Sequence, residues 1–214
     1  SGVGKMRTGT IRIGATETAL YGVLLDVLAK FRAAYPGIRL HITNGSTSST
    51  AAALRKGLLD LAVVTSPIDF LPDIQSTPLL AFKELLVAAA CSDYSKERRI
   101  TPDEVFIYPI VSLGRHAKTY DFYSHLFLPY GLEWQPDIDL ATSDQILPMI
   151  KAGLGVGFVP EFMAKRDLEQ KTIVPIEVIG LKPEREIILL EDKTKCPGAA
   201  AAALRRMMLS KAES

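Results

Sequence analysis

Residues 9–66 read GTIRIGATETALYGVLLDVLAKFRAAYPGIRLHITNGSTSSTAAALRKGLLDLAVVTS. The stretch predicts strands at Thr10–Gly14, Ile38–Thr43 and Asp60–Val64, with a helix between each pair. Strands that alternate with helices argue a parallel sheet with right-handed crossovers. Such a sheet holds ligands outside the carboxyl ends of its strands. Here those exits read Ala15-Thr16-Glu17-Thr18, Asn44-Gly45-Ser46-Thr47-Ser48-Ser49 and Thr65-Ser66-Pro67. Hydroxyl groups just ahead of helix N-termini suit a small anion. The stretch therefore predicts a ligand-binding α/β domain.

Within it, Leu20, Val23, Leu24, Val27, Leu28, Phe31 and Tyr35 recur at helical spacing and make one broad apolar face. Pro36-Gly37 stops that helix. Ile38, Leu40 and Ile42 alternate with Arg39, His41 and Thr43, which predicts one covered face and one polar face or edge. The second helix starts in the Ser/Thr cluster 46–50 and is capped near Gly57.

Beyond this stretch, Pro78–Ala90 is strand-like, but Lys83-Glu84 interrupts its apolar character, as expected where a strand crosses into a second lobe. Thr101-Pro102-Asp103-Glu104 is a capping box. A strand is expected at Ile110–Leu113. A helix follows from Thr119 to Leu128 with Phe122, Leu126 and Phe127 inward. The next strand is expected at Asp137–Ala141. Ser143 is expected to cap a helix bearing Ile146, Leu147 and Ile150, and Gly155–Val159 makes another strand. The β-rich run Thr172–Val178 is expected to return to the first lobe, which strand Glu186–Glu191 and helix Pro197–Ser210 complete. The fold class is α/β: two Rossmann-like lobes joined by two crossover strands. Lobe I takes residues 1–83 and 172–214, and lobe II takes 84–171.

The 214 residues are 48% hydrophobic, enough for a substantial core, and 25 Lys+Arg against 24 Asp+Glu leave a net charge of +1. That balance gives no general attraction to nucleic acid or to an anionic membrane. No apolar run approaches the length of a membrane span, and residues 1–10 do not read as a signal peptide. Cys91 and Cys196 are far apart in sequence and are read as free thiols of a reducing compartment, with a disulfide between them as the alternative.

Four further segments carry a family resemblance: Gly9-Thr10-Ile11-Arg12-Ile13-Gly14, Phe31 to Leu40 (FRAAYPGIRL), Gly57 to Val63 (GLLDLAV), and Lys151 to Pro160 (KAGLGVGFVP). In this order and register the chain resembles the effector-binding domain of a LysR-type transcriptional regulator, from about Gly9 to Leu209. The resemblance implies a fold similar to type 2 periplasmic binding proteins, with a small-molecule effector in the interlobe cleft. It also implies a winged helix-turn-helix and a linker helix that this sequence does not contain, so that DNA would be met only through that missing N-terminal module. The near-neutral charge agrees, since a DNA-reading module is usually basic. Members of the family pair their regulatory domains as homodimers, for which the apolar face of the first helix and Tyr120, Tyr123 and Phe127 of the helix Thr119–Leu128 are the expected material, and form tetramers at full length, in the cytoplasm.

Thr16, Glu17 and Thr18 lie between the first strand and helix, where the family presents hydroxyls and backbone N–H groups to its effector. Unpaired N–H groups and the helix dipole favour negative charge there, although plain N-capping would account for one hydroxyl. Glu17 would repel a dianion unless it faces solvent or pairs with a base. Ser46, Thr47, Thr65 and Ser66 stand at the other two exits, where turn and cap chemistry is the competing reading. In lobe II, Thr142 and Ser143 precede a helix, and Arg115 could grip a carboxylate or phosphate through both its guanidinium nitrogens or simply be solvated. Phe158 is expected as an apolar wall. The effector is therefore read as small and polar or anionic.

No catalytic set, metal-ligand set or cofactor motif is read from the residues. His41, His116 and His125 lie in different elements, without partners at metal-ligand spacing. The run Gly153-x-Gly155-x-Gly157 follows a helix and enters a strand, the reverse of the order a dinucleotide fold needs. Two rivals share the fold: an extracytoplasmic solute-binding protein, and a biosynthetic enzyme with an acid–base or covalent group in its cleft. Fold alone does not choose among them.

Overall fold

A computed structural model describes residues 8–214. The lobe start at residue 1 and most of the signal-peptide reading over 1–10 fall outside the described residues. The chain divides into two compact units: one runs up to Ala81 and resumes with Glu186–Ser214, and the other is Phe82–Arg185.

In the first unit, strands β1 (Gly9–Ala15), β2 (Ile38–Asn44) and β3 (Leu61–Thr65) are parallel, with β1 in the middle. The register Ala15↔Asn44 and Ala15↔Val63 brings the carboxyl ends of all three to one edge. Strand β10 (Glu184–Asp192) lies antiparallel on β3, pairing Ile187 with Thr65. The first helix covers 17–34. Its predicted face is used: Val23, Leu24, Val27, Leu28 and Phe31 are all buried. It is not a regular α-helix, because Leu20–Leu24 forms a π turn between the α-helical pieces Glu17–Ala19 and Leu25–Ala34. The alternation of β2 is only partly realised: β2 has β1 on one side alone, Ile38 is buried, and Ile42 remains 42% exposed. Unpaired edges of this kind keep one strand flank in solvent.

The second unit is organised by strand β4 (Ile74–Ala89), which enters it at Phe82. Strands β8 (Gly157–Pro160) and β9 (Ile173–Val178) both run antiparallel to β4, pairing Leu86 with Phe158 and with Ile176. Short β5 (Arg99–Ile100) is parallel to β9, and β6 (Val111–Leu113) is parallel to β7 (Ile138–Leu140). Because strand side chains alternate, β4 feeds two cores. Leu86 and Ala88 join an aromatic core with Tyr123, Phe127, Trp134 and Phe158, while Val87 joins an aliphatic one with Val111, Ile150 and Val159.

Three expectations are corrected. The run Thr172–Val178 does not return to the first unit. Its residues Ile173–Ile176 are hydrogen-bonded to Leu86–Ala89 of the second, and the return comes within β10, between Arg185 and Glu186. An apolar alternating strand says that it pairs, not with what. Ser143 is not a cap: Thr142 holds the N-cap position of a 3₁₀ turn Ser143–Gln145, and the α-helix starts only at Ile146. The Gln145 N–H already donates to the Thr142 carbonyl at 3.3 Å, and Pro148 in the first α-helical turn has no N–H to offer. Finally, in the helix Lys118–Phe127, Phe122, Leu126 and Phe127 face inward as expected, but Tyr123 and Phe127, expected as material for a dimer contact, are both fully buried. The ring of Tyr123 stacks on Phe158 at 4.7 Å and that of Phe127 on Trp134 at 5.4 Å, so neither is available to a partner chain.

Candidate functional site

The carboxyl edge of β1, β2 and β3 gathers the hydroxyls of the first unit. Thr16 leaves β1 in extended conformation and caps the first helix, accepting from the Ala19 N–H at 3.2 Å. Its Oγ1 also meets Thr65 Oγ1 at 2.8 Å, across from the end of β3. Thr47, in the first turn of the helix Thr47–Arg55, donates its hydroxyl to the Thr65 carbonyl at 2.8 Å. Three exits far apart in sequence are thus joined by hydroxyl bonds. Ser46 caps the second helix through the Ser49 N–H at 3.1 Å, and Ser66 accepts from the Glu186 N–H at 2.8 Å.

The proton count of this cluster decides what it can do. A threonine hydroxyl has one proton and two lone pairs. Thr16 and Thr65 spend one proton on the bond between them, whichever of the two donates. The other O–H then remains to donate to a further acceptor. It stands beside two helix N-termini, whose first N–H groups have no partner within the helix and whose dipoles favour negative charge. The edge is therefore built to donate hydrogen bonds to an acceptor or anion. Thr16, Thr18, Thr47 and Thr65 are each less than a tenth exposed, while Glu17, Ser46 and Ser66 are half-buried around them. Glu17 does not intrude as a bare charge: the Asn44 side-chain amide donates to it at 2.7 Å. Asn44 is the residue that the sequence reading passed over, although it belongs to the quoted exit of β2.

In the second unit, the parallel pair β6 and β7 has its own exits. The His116 ring Nε2 lies 3.0 Å from the Ala141 carbonyl and ties the two together. Arg115 is exposed and lies over the Tyr120 ring at 5.4 Å, where a guanidinium is held by cation–π attraction. Thr142 and Ser143 are half-buried at the exit of β7. Phe158 is not grouped with them: it is 5% exposed, inside the aromatic core. The glycine run is structural. Gly153 takes a left-handed φ of +82° after the helix Ile146–Lys151, and a Cβ on Gly157 would stand 2.6 Å from the Val111 carbonyl oxygen.

One group was visible in the sequence only as the charged break Lys83-Glu84 in an apolar strand, with no sign of its partner. Glu84 and Arg185, 101 residues apart, form a buried ion pair at 3.0 Å with side chains 2% and 4% exposed. Arg185 also donates to Thr119 Oγ1 at 2.9 Å and lies over the Phe122 ring. Burial pushes the Glu84 carboxyl above its ordinary range, against the pull of Arg185 and of the Tyr123 hydroxyl. Among the described residues no cluster of side chains fits a metal ion, and no helix is long and apolar enough to cross a membrane. Cys91 and Cys196 are both exposed and free.

Residues 4–213 match the family described as LysR substrate binding domain. A probable RuBisCO transcriptional regulator of Cyanidioschyzon merolae is 21% identical over 96% of this chain and 69% of its own length. The HTH-type transcriptional regulator CysB of Haemophilus influenzae is 28% identical over 71% of this chain and 47% of its own. The chain thus spans about half to two thirds of these curated relatives. Among solved structures, the regulatory domain of Synechocystis PCC6803 CcmR in complex with 2-PG superposes with a TM-score of 0.85 at 14% identity, covering 97% of this chain and 99% of that one. That likeness is one of fold.

Proposed function

The chain belongs to the LysR substrate-binding domain family, the effector-binding part of LysR-type transcriptional regulators, and from that premise we propose what it binds and where. The ligand is a small polar or anionic metabolite, held at the strand-exit edge of the first unit by Thr16, Thr18, Ser46, Thr47, Thr65 and Ser66. Glu17, braced by Asn44, limits how much negative charge fits beside it. Arg115, Thr142 and Ser143 are a second set of exits available to an anion. Phe158 serves the core instead. The observation that carries the reading is the Thr16–Thr65–Thr47 cluster, with its one spare O–H at two helix N-termini.

Binding without chemistry fits this edge, which offers hydroxyls and amides but no nucleophile with a base beside it. The full-length protein would then be a cytoplasmic regulator whose winged helix-turn-helix responds to the effector, assembled through this domain as a homodimer and at full length as a tetramer. The exposed apolar residues of the first helix, Tyr21 and Leu25, are the material for that pairing. The test is calorimetry against small carboxylates, amino acids, sulfur metabolites and phosphates, repeated with Thr16→Ala and Thr65→Val. Each variant is expected to weaken the best ligand by about 1 kcal/mol, the scale of one hydrogen bond. Unchanged affinity in both variants would remove these residues from the site.

A further inference from the structure

The chain passes between the units at Ala81–Phe82 on β4 and at Arg185–Glu186 on β10. On the return strand, the residues on either side of the passage are held by different units. The Arg185 guanidinium donates to Glu84 Oε1 at 3.0 Å and to Thr119 Oγ1 at 2.9 Å, and it lies over the Phe122 ring at 5.1 Å, all within the second unit. Glu186 is held by the first unit. Its N–H donates to Ser66 Oγ and its carbonyl accepts from the Ser66 N–H, both at 2.8 Å. On the outgoing strand, Leu79 is buried, Leu80 and Ala81 are exposed, and Phe82 is buried with its ring 5.4 Å from that of Phe162. Glu84 follows, and its N–H donates to the Pro183 carbonyl at 2.9 Å. The ion pair thus ties one strand to the other just inside the second unit.

Stability alone does not account for an ion pair at this place. Taking two charges out of water offsets most of their attraction, and apolar residues of similar volume often hold a core as well. The pair has a second effect. Anchored to one helix, the two strands cannot shift past each other, and backbone rotation is confined to residues without such anchors. Hinges form where a few residues absorb the change in φ and ψ. We propose that Glu84, Arg185 and Thr119 form a hinge clamp. They lock both passages to the helix Lys118–Phe127. With Ser66 holding Glu186 on the other side, they confine the pivot to Leu80–Ala81 and to the Arg185–Glu186 junction.

The two cysteines allow a test in the native chain. Cys91 lies in the second unit and Cys196 in the first, and both are exposed and free. Nitroxide labels on this pair, with the labelled protein in a large excess of unlabelled chain, report the spread of distances between the units by double electron–electron resonance. Thr119→Val and the paired change Glu84→Leu with Arg185→Met are each expected to broaden that spread beyond the parent's, the paired change more. Leu204→Ala removes a buried side chain from the helix Ala199–Ala212. It costs stability through the cavity it leaves and should keep the parent's spread. Melting curves on the same samples show which variants are folded, and Thr119→Val carries the test if the paired change does not fold. A spread unchanged in the folded variants would overturn the clamp. Equal broadening by Leu204→Ala would also overturn it, by making the effect one of general loosening. Broadening by the paired change alone would overturn the role given to Thr119. No ligand enters the experiment, so failure of the strand-exit site in calorimetry would leave this result standing.

Discussion

Arg185 and Glu84 show how much one residue pair can hold. The pair is buried, and removing a single partner leaves the other charge stranded, at a cost of about 3–5 kcal/mol. Arg185→Met is therefore expected to lose that much in urea denaturation at neutral pH. Glu84→Leu combined with Arg185→Met should lose less than the single change, because no charge is then orphaned. The pH dependence follows from the direction of the Glu84 shift. Its carboxyl stands above the ordinary 4.5 in the folded protein, chiefly through burial, so the folded state holds that proton more tightly than the unfolded chain. The contribution is fully present below the ordinary value and is lost as pH rises through the folded one. Arg185→Met removes the opposing pull and raises the carboxyl further. The gap between parent and variant should narrow from about pH 8 to about pH 5, as the stranded carboxylate takes up its proton. A gap constant across that range would mean Glu84 stays charged without Arg185.

At the scale of the element, the two ends of the helix Ile146–Lys151 make the contrast. Its C-terminal side was legible: Gly153 marks the stop, and the glycines after it bring β8 against the backbone of β6. Gly157→Ala should overpack this contact and destabilise by about 1–3 kcal/mol, measured by thermal melting. A neutral result would mean β8 can shift away from Val111. Its N-terminal side was misread, because a hydroxyl ahead of an apolar run is a cap only if a backbone N–H is left for it. Ser46 is such a case, and Ser46→Ala is expected to cost about 1 kcal/mol through loss of its bond to the Ser49 N–H. The π turn Leu20–Leu24 had no sequence signal beyond Gly22. It widens the first helix one turn after the Thr16 cap, a place where such turns often accompany functional sites.

For the whole molecule, the apolar face of the first helix is satisfied within its own unit, so the proposed dimer would draw on what remains outside. Leu25 is 47% and Tyr21 51% exposed, one helical turn apart. Leu25→Glu is expected to convert a dimer into a monomer of 23.4 kDa in sedimentation equilibrium while leaving the melting temperature near that of the parent. A parent that already sediments as the monomer would end the dimer reading for this domain. Tyr123→Glu, by contrast, would place a charge in the aromatic core, and it should abolish folding before it tests assembly.

What the sequence determined by itself was whatever local pattern decides. The order of strands and helices over 9–66, the inward face of the first helix, the hydroxyl-rich exits and the family register all follow from periodicity, capping residues and turn residues that lie close together in the chain. Only the tertiary structure decided which distant segments meet. Thr16, Thr47 and Thr65 share hydroxyl bonds because parallel pairing sets their strand ends side by side. The return passes through β10 because β9 is held on β4, and Glu84 finds Arg185 across 101 residues of chain. Each of these depends on strand partners and on burial. An alternating apolar run specifies that a strand has a partner and a face, but the partner's identity is an energy of the assembled core.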